Sequence, residues 1–241
     1  MRNWLAGRTE AFIDGVGDVG DFASAVPTCP GWTVRDLVAH VGQQQRWAAG
    51  VARTGHAAAV PDPLAQEVPA DWARWLREGA AELVAAVDGR ADPVWTYLGP
   101  RPAAFWTRRV LHDTVVHHAD LALAAGAEPD VPEDVAADGV EELFELFTDP
   151  DGVSVKPALA YLRGTGETLL LRPRGRSPLF VVRAPGGPVL RPDRGTADVV
   201  LTASPRDLLL VLTRRRSADR PGVRVEGDRA LLDHWVAHTA L

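Results

Sequence analysis

His40, Asp113 and His117 are the side chains of this 241-residue chain whose types and spacing best suit chemistry. Asp113 and His117 stand four residues apart in a segment with helical periodicity, so both project from one face, in a stripe with Val110 and Asp120. That stripe faces a core, where a carboxylate and an imidazole are costly unless something pairs them. A divalent metal does so, and facing helices of a bundle are a usual place to build such a site. His40 lies about two turns into a separate predicted helix, pointing with Leu37 and Gln44. Three protein ligands leave coordination positions open for water or substrate, the pattern of a catalytic rather than a structural centre. The same spacing also suits a plain ion pair with structural histidines. On spacing alone both readings stay open.

The elements that must position these residues are legible. Thr33-Val34-Arg35-Asp36 fits a capping box with Thr33 as N-cap, and Trp32 and Leu37 are placed as a hydrophobic staple. The helix begun there runs towards Ala52. Further helices are predicted over about 3–16, Asp71–Val87, Pro102–Ala125 with Gly126 as C-cap, and Val135–Phe147. Beyond Asp149-Pro150-Asp151-Gly152 the pattern changes to short runs bounded by Gly and Pro. Thr168–Arg172, Pro178–Ala184, Asp198–Ala203 and Val223–Glu226 read as strands. Ser204-Pro205 reads as a helix start, Gly227 as a turn, and Asp228–His238 as a final helix. The expectation is an α+β chain of two domains: a helical bundle over 1–150 and a smaller α+β domain with an antiparallel sheet over 151–241.

Composition narrows the function classes. With 46% hydrophobic and 24% charged residues, the chain is of ordinary globular type. The formal charge of −6 argues against a nucleic-acid partner, since such binding neutralises phosphates. No apolar run reaches the roughly 20 residues of a membrane helix, and the single cysteine, Cys29, fits a reducing compartment. A soluble, cytoplasmic protein acting on a small molecule is expected. Residues 1–150 carry a net −12 and residues 151–241 a net +6, which suggests mutual attraction between the two parts.

Two longer stretches add a family. Pro27-Thr28-Cys29-Pro30-Gly31-Trp32-Thr33-Val34-Arg35-Asp36-Leu37-Val38-Ala39-His40-Val41 resembles the N-terminal motif of the mycothiol-dependent maleylpyruvate isomerase family, a group of DinB-like metal-binding four-helix bundles with a sterol-carrier-like C-terminal domain. Arg109–Asp120 resembles its second motif, Arg-x-x-His-Glu-x-x-x-His-x-x-Asp, and Val223–Leu232 resembles the end of its C-terminal domain. The resemblance covers nearly the whole chain in order. It implies a metal, usually taken as zinc, held by His40, Asp113 and His117, with mycothiol as thiol cosubstrate. It also implies an arginine of the C-terminal domain at the active site, matched here by Arg215 of Arg214-Arg215-Arg216, suited to a substrate carboxylate.

One position departs from the pattern: residue 113 is Asp where the family has Glu. Its carboxylate reaches about 1.5 Å less, one carbon–carbon bond. Either the helix approaches more closely, or ligation is weak or through water. His112 and His118 point about 100° to either side of the stripe and are expected behind the ligands or at the surface. Asp120 is placed to orient an imidazole N–H, or else is a solvated acid. Cys29 is expected to be a buried structural thiol.

The implied chemistry is attack of a metal-activated thiol on an unsaturated, carboxylate-bearing substrate. Collapse of the adduct after bond rotation gives cis–trans isomerisation; retention gives thiol S-transfer. Two alternatives stand beside it: a hydrolase using metal-bound water, and a non-catalytic small-molecule or lipid-binding protein with a degenerate metal site. In the latter, Leu169–Leu171 and Leu179–Val182 would line a ligand cavity rather than pack against their own helices.

Overall fold

In a computed structural model, which describes residues 1–62, 65, 67–192 and 195–239, the apolar periodicity becomes helices α1 (Arg2–Val19), α2 (Val34–Thr54), α3 (Trp72–Val87) and α4 (Ala104–Ala124). The capping box forms at α2: the Thr33 backbone N–H donates to Asp36 Oδ2 at 2.7 Å. This ties up a group that the first turn leaves without an intrahelical partner. It also fixes the residue from which the turns to His40 are counted. The four helices pack on one another, with Leu37, Val38 and Val41 of α2 buried among Phe12, Val16 and Leu121. Each such side chain, fully buried, contributes about 1.5–3 kcal/mol. Gly42 lets α3 press close to α2, because a Cβ there would fall 1.9 Å from the Trp75 ring.

The remaining elements are α5 (Glu133–Thr148), the single turn α6 (Gly152–Val155), a 3-10 segment at Pro157–Leu162, α7 (Pro205–Leu212), α8 (Arg229–Thr239) and five strands. β1 (Thr168–Pro173), β2 (Leu179–Ala184), β3 (Gly187–Arg191), β4 (Val199–Ala203) and β5 (Arg224–Gly227) lie in the order β3-β2-β1-β4-β5. All pairings are antiparallel except β1 with β4, which is parallel. Leu169, Leu170 and Leu171 on central β1 are all buried, as a strand covered on both faces requires. Leu170 and Phe180 pack with Val200 on one of those faces. At Gly227, φ is 87° and a Cβ would fall 2.1 Å from the Asp198 carbonyl, so the turn there excludes a side chain. The fold class is as expected; β3 is an addition, since Gly187 and Pro188 look like breakers in the sequence.

The division of the chain differs from the 1–150 and 151–241 reading. Two units form, Met1–Asp130 and Val131–Leu241, so α5 belongs with the sheet. Its apolar face packs on α7, and Phe144 stacks on Trp235 of α8 with ring centroids 5.5 Å apart. Arg206 Nε donates to the Val131 carbonyl at 2.8 Å, and Arg176 pairs with Asp134. Moving the acidic α5 leaves a net −5 in the first unit and −1 in the second. The charge contrast read from the sequence is thus neutralised inside one unit. Among the described residues no helix is long and apolar enough to cross a membrane.

Candidate metal centre

α2 and α4 bring His40, Asp113 and His117 together. One ligand atom from each lies within 4.8 Å of the others. His40 Nε2 is 3.2 Å from Asp113 Oδ2, and His117 Nε2 is 3.8 Å from the same oxygen. Donors about 2.0–2.2 Å from a tetrahedral zinc are about 3.3 Å from each other; His40 and Asp113 already stand at that spacing, and the 3.8 Å from Asp113 to His117 is somewhat wider. The short Asp113 side chain still reaches His40, because α4 lies close enough. Burial pushes the Asp113 carboxyl up, but the His117 and His40 imidazoles and the Arg109 cation outweigh it. The carboxyl is held well below the usual carboxylate range and stays ionised, as a ligand must.

Behind His117 is a second layer of contacts. Its Nδ1 is 2.9 Å from Asp120 Oδ2, and Asp120 is fully buried. Thr28 Oγ1 donates to Asp120 Oδ1 at 2.5 Å, and the Cys29 thiol lies 3.4 Å from Oδ2. A carboxylate accepting from Nδ1–H fixes the tautomer and leaves the Nε2 lone pair towards Asp113. Asp120 therefore orients the imidazole and is no solvated acid. Cys29, His117 and Asp120 also form a close Cys/His/Asp group, which these contacts join. Cys29 is half-buried and touches the carboxylate that holds His117. The loop supplying Thr28 and Cys29 is closed by Val26 N–H donating to the Trp32 carbonyl at 2.9 Å.

His112 is buried at 2% exposure and falls outside both groups. His118 packs against α1, where a Cβ on Gly15 would meet its ring at 3.1 Å. Burial, with the Arg8 cation, lowers the His118 pKa. Arg215 lies in the second unit, 8% exposed, with a guanidinium N–H donating to the Thr213 carbonyl at 2.8 Å. There it lines a cavity of about 350 Å³ with Arg214, Arg216, Arg229, Leu232 and Asp233.

Two aromatic residues have places that the sequence did not assign. Trp32 does more than staple: its ring lies 5.2 Å from His40 and 6.1 Å from His117. Tyr97 is packed among Trp47, Trp95, Phe105 and Trp106. Burial pushes its phenol up to about 12, with Arg109 lowering and Asp113 raising it. A chain with eight tryptophans can be expected to cluster some of them, but the sequence gives Tyr97 no place in such a cluster.

No curated protein sequence matches the chain. A crystal structure of the mycothiol-dependent maleylpyruvate isomerase is similar over 92% of both chains, at 18% identity and a TM-score of 0.51. The structure of an H52A mutant of such an isomerase gives 0.54 over the same shares and identity. At that identity the likeness shows the fold. A ubiquinone synthesis protein, UbiJ-SCP2, is similar over 46% of this chain and 93% of its own, at 22% identity and a TM-score of 0.33. The family model described as the mycothiol maleylpyruvate isomerase N-terminal domain matches residues 5–122, and that described as the MDMPI C-terminal domain matches residues 134–234. With both models matched in order along nearly its whole length, the chain belongs to the mycothiol maleylpyruvate isomerase family.

Proposed function

We propose that the protein is a mycothiol-dependent enzyme that adds a low-molecular-weight thiol to an unsaturated, carboxylate-bearing substrate, as a maleylpyruvate-type cis–trans isomerase or a thiol S-transferase. The observation that carries this reading is the convergence of His40, Asp113 and His117 from two helices, with His117 held from behind by buried Asp120. These three residues are the proposed ligands of a divalent metal, zinc being the best match to two imidazoles and a carboxylate. Bound there, the metal supplies the Lewis acidity that keeps a thiol ionised at neutral pH. The protein's own part is positioning. Asp120 sets the His117 tautomer, Asp113 contributes the single negative charge, and Trp32 covers the two imidazoles on one side. Arg215 is proposed, from the family resemblance, to hold the substrate carboxylate with its planar fork.

The test is elemental analysis of dialysed protein beside an Asp113→Ala variant, followed by turnover of a cis-unsaturated keto acid with and without mycothiol. Near-stoichiometric zinc, lost in the variant, and turnover that needs both metal and thiol are expected. Turnover that survives chelation, or that proceeds without thiol, would refute the reading.

A further inference from the structure

Tyr97 lies in line with the candidate metal centre on both helices that build it. On α2, Trp47 follows His40 by seven residues; on α4, Trp106 precedes Asp113 by seven. Seven residues are close to two turns, about 10.5 Å along a helix. Each tryptophan therefore shares a helix face with its ligand. The pairs also face each other, His40 against Asp113 at 3.2 Å and Trp47 against Trp106 with centroids 4.8 Å apart. Opposite sequence directions on the two helices thus lead to the same place, as antiparallel neighbours require. At that place the Tyr97 ring stacks on Trp47 at 5.9 Å and meets Trp106 edge-on at 5.0 Å.

This floor is rigid. Trp106 is fully buried and its indole N–H donates to the Trp95 carbonyl at 3.0 Å. Trp47 is 8% exposed and donates to the Ala58 carbonyl at 3.3 Å. Among the described residues, the Tyr97 hydroxyl hydrogen-bonds to no protein atom. Buried phenols usually find a partner, and Tyr97 is only half-buried, so its hydroxyl is open to water or to a ligand. Arg109, one turn before Asp113, lowers the phenol's pKa and Asp113 raises it, so both charges are felt at Tyr97. A rigidly seated donor without a protein acceptor, aligned with an open-sided ligand set, suits a ligand acceptor lying between them.

We propose that Tyr97 is a catalytic residue whose hydroxyl donates a hydrogen bond to the carbonyl oxygen of an α,β-unsaturated substrate, stabilising the enolate that thiol addition creates. The inference rests on the thiol-addition reading of the site. In that step the sulfur–carbon bond forms and the pair from the carbon–carbon double bond moves onto the carbonyl oxygen. Return of the pair after rotation expels the thiolate and gives the isomer; a proton on carbon instead completes S-transfer. Tyr97 keeps its proton throughout. Its hydrogen bond strengthens as charge develops, which is the condition for lowering a barrier rather than only binding substrate.

Tyr97→Phe removes the hydroxyl and keeps the ring in its aromatic seat. In the full-length, zinc-loaded protein, calorimetric titration with maleate is expected to show binding about tenfold weaker than in the parent, at equal zinc content. Turnover with thiol should lose about tenfold or more in kcat, with KM changed far less. Tyr97→Leu, which also breaks the stacking, should weaken maleate binding at least as much, and serves if the first variant misfolds. Maleate binding within about twofold of the parent in a folded variant overturns the proposal, as does a parent that does not bind maleate. Parent turnover that persists after chelation refutes the metal–thiol reading separately, and Tyr97 is then judged on the maleate difference.

Discussion

Replacing Asp120 by asparagine and by alanine separates the two things its carboxylate does for His117. Asp120 is fully buried, and its oxygens serve Thr28, Cys29 and His117 Nδ1. Asparagine keeps one acceptor oxygen. The Thr28 hydroxyl can reverse its role and accept from the amide, so the 2.9 Å contact to Nδ1 survives and only the negative charge is lost. Alanine removes the acceptor altogether. It leaves Nδ1–H and the Thr28 hydroxyl without a carboxylate partner, at about 1–3 kcal/mol for each buried group left unsatisfied. Partners behind metal ligands are typically worth 10–100-fold in affinity, or about 1.4–2.8 kcal/mol. The alanine variant is therefore expected near the hundredfold end of zinc affinity and the asparagine variant near the tenfold end. Competition against a chromophoric chelator measures the affinities, with circular dichroism melting to confirm folding. A folded alanine variant that binds zinc within about twofold of the parent would refute the role assigned to Asp120.

Three further outcomes follow from the packing. Since Asp113 Oδ2 already lies 3.2 Å from His40 Nε2, Asp113→Glu should leave zinc affinity within about threefold; a tenfold gain in the same competition would mean that aspartate falls short. Gly42→Ala drives a Cβ into the Trp75 ring and should cost about 1–3 kcal/mol in urea unfolding, whereas an unchanged midpoint would show that α2 and α3 have slack. Trp235→Ala should cost the fold about 3–5 kcal/mol through its stack on Phe144. Trp235→Phe should cost clearly less, because among the described residues the buried indole N–H has no hydrogen-bond partner, and equal losses for both would refute that account.

Local signals were legible where a residue's role is settled by its near neighbours. Thr33 and Asp36 announce the start of α2, and Asp113, His117 and Asp120 share a stripe that any helix would create. What was not legible depends on partners distant in sequence. An amphipathic α5 shows that one face is covered but not by what, so it was grouped with the preceding helices instead of α7 and the sheet. The acidic residues of that helix then exaggerated the charge difference between the halves. Trp32 and Tyr97 lie in non-helical segments with no periodicity to aim them. Their places against the histidines and tryptophans emerge only when α2 and α4 are packed. β3 was hidden because Gly187 and Pro188, which open it, are ordinary strand breakers.

The direct contact between His40 and Asp113 joins residues 73 positions apart, and Thr28 reaches Asp120 across 92. A ribosome therefore releases the imidazole of His40 long before the rest of the centre has been made. Until α4 is synthesised and docked, the emerging chain holds only His40 of the three proposed ligands, and one imidazole is a poor competitor against cellular buffers. The full set of three proposed ligands is complete only late, when the chain between the two helices has closed. If the proposed centre takes its metal, acquisition is tied in this way to completion of the helical unit, and free metal would favour the finished fold over the growing or unravelled chain.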